Sequence, residues 1–85
     1  MASYRLLIKA SAAKELEALP KQDRRRLVAR IRKLSGDPRP PGSEKLSGHD
    51  LYRVRQGNYR VLYSVRDTDQ AVVIIMIGHR REVYR

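Results

Sequence analysis

The chain has no cysteine, which removes disulfide frameworks and thiolate metal sites and is compatible with a reducing compartment. Its two histidines, His49 and His79, stand at no zinc-ligand spacing, and neither a Ser-His-Asp set nor a P-loop can be assembled. No metal and no small-molecule cofactor are therefore expected. The longest apolar run, Ala71 to Ile77, is far too short to span a bilayer. The start, Met1-Ala2-Ser3-Tyr4-Arg5, lacks the apolar stretch of a signal peptide. A soluble, cytoplasmic protein without membrane contact is the expectation. Negative charge is also scarce: 9 Asp plus Glu stand against 19 Lys plus Arg, a formal net charge of +10. Such an excess repels itself in the folded state, and a polyanionic partner is one common use for it. Nucleic acid leads, because each neutralised phosphate releases condensed counterions. An acidic protein would satisfy the same charge.

What is present fits one domain, residues 1–85, since 85 residues can share one modest core and not divide it. Tyr4 to Lys9 reads as a strand with Tyr4, Leu6 and Ile8 on one face. Ser11 offers an N-cap hydroxyl to a helix over 12–19, which Pro20 ends. A second helix over about residues 21–34 aligns Leu27, Val28, Ile31 and Leu34 on an apolar face. Arg25, Arg26, Arg30, Arg32 and Lys33 lie on the other face, a solvated surface or part of a phosphate-positioning one. Gly36 is placed for a left-handed C-cap before Asp37-Pro38, and the Pro-rich stretch to Ser43 is a loop. Two alternating runs follow, then a turn at Asp67 to Gln70. The strand Ala71 to Ile77 is apolar on both faces, as a central strand would be. The expected architecture is α+β: an N-terminal strand, a helical hairpin and a three-stranded antiparallel meander, with the helices on one face of a small sheet. Which edge the first strand takes is left open.

The most informative stretch runs from Lys45 to Arg66. A Gly57-Asn58 turn signal separates its two runs, and period-two alternation puts Arg53 and Arg55 on one face and Tyr52 and Val54 on the other. Across the turn, Tyr59, Val61, Tyr63 and Val65 share a face opposite to Arg60, Leu62, Ser64 and Arg66. A register set by the turn gathers Arg53, Arg55 and Arg60. The plain reading is the solvated side of a two-sided hairpin. Like charges this close repel unless an anion lies among them, which invites a phosphate or an acidic partner. Arg80, just past the last strand, is positioned to join them. Tyr84, with arginines beside it, is placed either to stack on a nucleobase or to fold back on the sheet. Of the histidines, His79 is better placed for proton transfer than His49, which falls in a turn.

The string K-L-S-G-H-D-L-Y-R-V-R-Q-G-N-Y-R-V-L-Y, followed by an apolar strand and G-H-R-R-E-V-Y-R, resembles the RelE/ParE superfamily of bacterial toxins over nearly the whole chain. The ending is more similar to the RelE branch. That resemblance implies the toxin of a type II toxin-antitoxin system, a ribosome-dependent endoribonuclease that stops translation by cutting mRNA in the A site. The chemistry implied is attack of a ribose 2′-OH on the adjacent phosphate. The partners implied are a cognate antitoxin, the ribosome and mRNA. The ParE branch shares the fold and acts instead on DNA gyrase. Carried over by position, the resemblance gives Arg53, Arg55, Arg60 and Arg80 the scissile phosphate and Tyr84 the base. RNA or ribosome contacts are expected from Arg25, Arg26, Arg30 and Lys33. The best-studied RelE pattern has lysines where Arg53 and Arg55 stand, and arginine, with a pKa above about 12, is a poor general base. Proton transfer is thus left to His79, to Lys45, to a ribosomal group, or to no positioned base. No helix follows the tyrosine before Arg85 as in some RelE toxins, so the antitoxin is expected to cover or distort the basic face.

Overall fold

Along the chain the apolar residues change their spacing from two to between three and four and back to two, and the backbone follows. The computed structural model describes residues 3–46 and 50–79, the last of them as backbone. Its elements are β1 (Arg5–Ile8), α1 (Ala10–Glu17), α2 (Lys21–Gly36), β2 (Glu44–Lys45), β3 (Leu51–Gln56), β4 (Tyr59–Arg66) and β5 (Ala71–His79). The strands form one sheet in the order β1-β5-β4-β3-β2. The expected meander β3-β4-β5 is its antiparallel middle. Two strands extend it to five: β1 adds parallel to β5 at one edge, and the two-residue β2 adds antiparallel to β3 at the other. No helix among the described residues is long and apolar enough to cross a membrane.

Both helices lie on one face of the sheet. Ala12 from α1 and Leu27, Ile31 and Leu34 from α2 pack on Tyr52, Val54, Val61, Tyr63, Val65, Val72, Ile74 and Ile77. Leu27, Ile31 and Leu34 recur at i, i+4 and i+7, which is one stripe of a helix. Each buried leucine of this kind contributes roughly 2–5 kcal/mol, judged by truncation to alanine. Tyr63 is fully buried and stacks on Tyr52 with ring centroids 5.8 Å apart. Its hydroxyl donates to the Pro38 carbonyl at 2.7 Å. Burial pushes the phenol up to about 12, so it remains a protonated donor and ties the loop after α2 to the core.

Two local expectations give way to tertiary structure. Ser11 lies inside α1, whose N-cap is Lys9 with no side-chain cap. The Lys9 N–H donates to the Ile74 carbonyl at 3.0 Å, which holds Lys9 extended and starts the helix at the next residue. Gly36 is the last residue of α2 and Asp37, at φ −148°, is its C-cap. Reciprocal bonds tie that last turn to the residue just before β1: the Tyr4 N–H donates to the Ser35 carbonyl at 2.8 Å, and the Ser35 hydroxyl to the Tyr4 carbonyl at 2.7 Å. No left-handed cap is needed there. Strand β5 is interior, as expected, and its register against β4 shifts between Leu62 and Tyr63. Met76 pairs with Leu62 and Ile74 with Tyr63, so Ile75 is the extra residue of a bulge. That extra residue lets Val72, Ile74 and Ile77 all face the core despite their uneven spacing.

Beyond Ile74 the strand β5 has outrun its partner β1, and an interior N–H there needs another acceptor. Glu15 supplies it: its Oε1 accepts from the Ile77 N–H at 2.9 Å. The last part of β5 is thereby held beside β4, next to the arginine-bearing hairpin.

Candidate nucleic-acid interface

The hairpin β3-β4 closes through Gly57 and Asn58. Gly57 has φ +61° while Asn58 does not take a positive φ, the pattern of a II′ turn that asks for glycine first. That turn sets Arg55 directly opposite Arg60 and Arg53 opposite Leu62. Facing positions on an antiparallel pair share a side of the sheet, so Arg53, Arg55 and Arg60 occupy the face away from the helices. Like charges directly opposite destabilise a strand pair. Beside Arg60 on its other flank stands Gly78, which contributes no side chain there.

The sequence reading missed one member of this face. Strand β2 places Glu44 opposite Arg53, and the Glu44 Oε1 accepts from both the Arg53 Nε, at 3.1 Å, and its Nη2. Arg53 is a buried charge, and breaking a buried pair leaves an uncompensated ion. The Arg53 hydrogen bonds and charge, reinforced by Arg55 and Arg60, hold the Glu44 carboxyl below the usual carboxylate range. Glu44 is therefore ionised throughout the neutral range. A period-two reading of Glu44-Lys45 separates the two onto opposite sides. Their register against β3 depends on the connection through residues 46–50, and no local pattern encodes it.

The same register decides Lys45. It stands opposite Tyr52, whose ring is in the core, and is itself exposed. Lys45 thus lies on the side of β2 away from Arg53. On α2, Arg25, Arg26 and Lys33 are exposed, whereas Arg30 is half-buried. Arg30, Gly42, Ser43, Glu44 and Arg55 line a cleft of about 420 Å³, so one of the four helix cations reaches the hairpin site. His79 closes β5 opposite Tyr59. His49, Arg80 and Tyr84 lie outside the described residues. Among the described residues no group of three His, Cys, Asp or Glu is positioned to hold a metal ion.

The arrangement is a set of guanidiniums, one of them bonded in place, around one ionised carboxylate on an open sheet face. Guanidiniums bind phosphate through paired N–H donors, and the carboxylate can accept a proton.

Residues 6–84 match the family described as ParE toxin of type II toxin-antitoxin system, parDE. Over 45 residues the chain is 38% identical to toxin RelG of Mycobacterium tuberculosis, a stretch covering 53% of this chain and 49% of RelG. The chain thus matches about half the length of that curated relative. Its fold is similar to that of an archaeal RelE-RelB complex from Pyrococcus horikoshii OT3, with 36% identity, a TM-score of 0.84, and 94% of this chain and 98% of that one covered. It is also similar to a mutant of E. coli toxin RelE in the free state, at 27% identity and a TM-score of 0.81, covering 95% and 87% of the two chains.

Proposed function

The chain belongs to the RelE/ParE superfamily of type II toxin-antitoxin toxins, and from that premise we propose that it is a ribosome-dependent endoribonuclease that cuts mRNA in the A site. The observation that carries the reading is Arg55 set directly across from Arg60, with the buried Arg53 and ionised Glu44 beside them. A phosphate between the two facing guanidiniums turns a repulsive pair into a bound one.

Arg55 and Arg60 hold the non-bridging oxygens of the scissile phosphate. The adjacent 2′-oxygen attacks the phosphorus, the bond to the 5′-oxygen breaks, and a cyclic phosphate and a 5′-hydroxyl result. Charge building on the non-bridging oxygens meets donors already in place; removing one such donor typically costs about 10²–10³ in rate. Glu44 accepts the 2′-OH proton. Its lowered pKa weakens it as a base but keeps it wholly ionised at neutral pH, and both factors enter the rate. Arg53 acts through Glu44 as a positioning residue. By the resemblance, Arg80 adds a further guanidinium; from its place at the end of β5, His79 protonates the departing 5′-oxygen. Tyr84 stacks on the base, a contact worth roughly 1–3 kcal/mol. Arg25, Arg26 and Lys33 meet ribosomal RNA as phosphate contacts that position without reading sequence. A cognate antitoxin, complementary to the net charge of +10, covers the arginine face.

The direct test incubates the protein with mRNA-programmed ribosomes. Cleavage at the A-site codon by the wild type, and its loss in Arg60→Ala, is the expected result; intact mRNA at every wild-type concentration overturns the reading. The match to the ParE toxin family favours a second reading, a gyrase inhibitor without ribonuclease activity. Inhibited supercoiling together with intact ribosome-bound mRNA would select it.

A further inference from the structure

Among the cations of α2, Arg30 is set apart. Arg26, Arg30 and Lys33 follow one another at i, i+4 and i+7 and share a stripe of the helix, yet Arg30 alone of these three lines the cleft beside Arg55 and Glu44. Its stem is packed down: the Arg30 Nε is buried and makes no hydrogen bond among the described residues. A buried N–H left without a partner costs about 1–3 kcal/mol. The opposite wall is Gly42, whose φ of +93° brings its backbone close: a Cβ there would lie 3.7 Å from the Arg30 Nη2. The guanidinium therefore lies beside a turn that glycine adopts without strain. A buried stem means that less side-chain freedom is lost when an anion is captured.

The chemistry of the lining names the ligand class. The described lining residues include two guanidiniums and no aromatic ring, a composition that binds phosphate and does not read a base. A volume of about 420 Å³ has room for a sugar-phosphate unit, beyond what a single ion needs. Glu44 and Arg55 belong both to this cleft and to the arginine face, so the two are continuous. We propose that Arg30 and Arg55, walled by Gly42 and Ser43, form a second phosphate subsite that takes the backbone phosphate next to the scissile one in a single-stranded RNA. The inference rests on the arginine face being the scissile-phosphate site. It assigns Arg30 to substrate, whereas Arg25, Arg26 and Lys33 remain on the outer surface.

The test is equilibrium binding of a short, fluorescein-labelled 2′-O-methyl RNA, which cannot be cut, followed by polarisation over a range of salt. Wild type is compared with Arg30→Ala, Arg30→Lys, Arg60→Ala and the same-helix control Arg32→Ala, each checked for folding by its thermal melt. Losing one phosphate contact lowers the slope of log affinity against log salt by about 0.7 on a single strand. That drop is expected for Arg30→Ala and absent for Arg32→Ala, while Arg30→Lys keeps the wild-type slope. If Arg30→Ala behaves as Arg32→Ala does and Arg60→Ala still weakens binding, the second subsite is overturned and the scissile-phosphate site stands. If Arg60→Ala is silent as well, both fall together.

Discussion

Arg39 and Arg60 lie toward opposite ends of the same sheet and stand in different surroundings. Arg39 donates from Nη1 and Nη2 to the two carboxylate oxygens of Asp67 at 3.1 and 2.8 Å. Its Nε donates to the Tyr52 hydroxyl at 2.8 Å, and its guanidinium lies 5.2 Å from the centroid of the Tyr52 ring. The Tyr4 hydroxyl adds a third bond to Asp67 at 2.7 Å. This knot ties β1, the loop after α2, β3 and the β4-β5 turn together, and it is complete in the free protein. At the other end Arg60 faces Arg55, and the carboxylate provided there, Glu44, is hydrogen-bonded to Arg53. Arg39 is a brace within a knot of bonds to one carboxylate, whereas Arg60 stands on a hairpin face that it shares with Arg53 and Arg55, beside Glu44.

That contrast can be broken by moving the loss between the two ends. The largest expected effect is catalytic: Arg60→Ala should lower the single-turnover rate of ribosome-bound mRNA cleavage by about 10²–10³. Next is Tyr63→Phe, which removes the donor to the buried Pro38 carbonyl and should lower unfolding stability by about 1–3 kcal/mol, measured by urea titration. Arg39→Ala should cost about 1 kcal/mol, because the pair is half-exposed and exposed pairs are weak, and should leave RNA affinity at its wild-type value. A large loss of cleavage in Arg39→Ala with binding and stability intact would erase the contrast.

The smallest effect is a pH dependence. Asp67 is held below its ordinary value by Arg39 and Tyr4, and Glu44 by Arg53. A depressed carboxylate contributes stability that is fully present above its unfolded pKa and is lost as pH falls through its folded value. Wild-type stability should therefore decline with acid below the unfolded values of 3.8 for Asp67 and 4.5 for Glu44. Asp67→Asn and Glu44→Gln should each flatten part of that decline in acid-induced unfolding. At neutral pH Glu44→Gln should also tighten binding of uncleavable RNA while slowing cleavage, an outcome that no variant of the Arg39 knot should reproduce.

Much of the molecule was legible because it is written at short range. Alternation of apolar and polar residues in β3 and β4, together with a turn that asks for glycine, is enough to put Arg53, Arg55 and Arg60 on one side. The 3.6-residue spacing in α2 likewise marks Leu27, Ile31 and Leu34 as core. The caps were misread where a neighbour outweighs the local preference: Lys9 is held by Ile74, and the end of α2 by Tyr4. The bulge at Ile75 was hidden inside a uniformly apolar run, because such a run looks the same in either phase.

By itself, then, the sequence determined an arginine-bearing hairpin and the helical pair behind it, because dihedral periodicity and turn chemistry act over a few neighbouring residues. Tertiary structure alone decided what surrounds that hairpin. It brought Glu44 to the arginine face and turned Lys45 away through one strand register, and it lowered Arg30 from α2 into the cleft against Gly42. Those placements join residues 7 to 25 positions apart, and they follow from how the sheet closes on the helices.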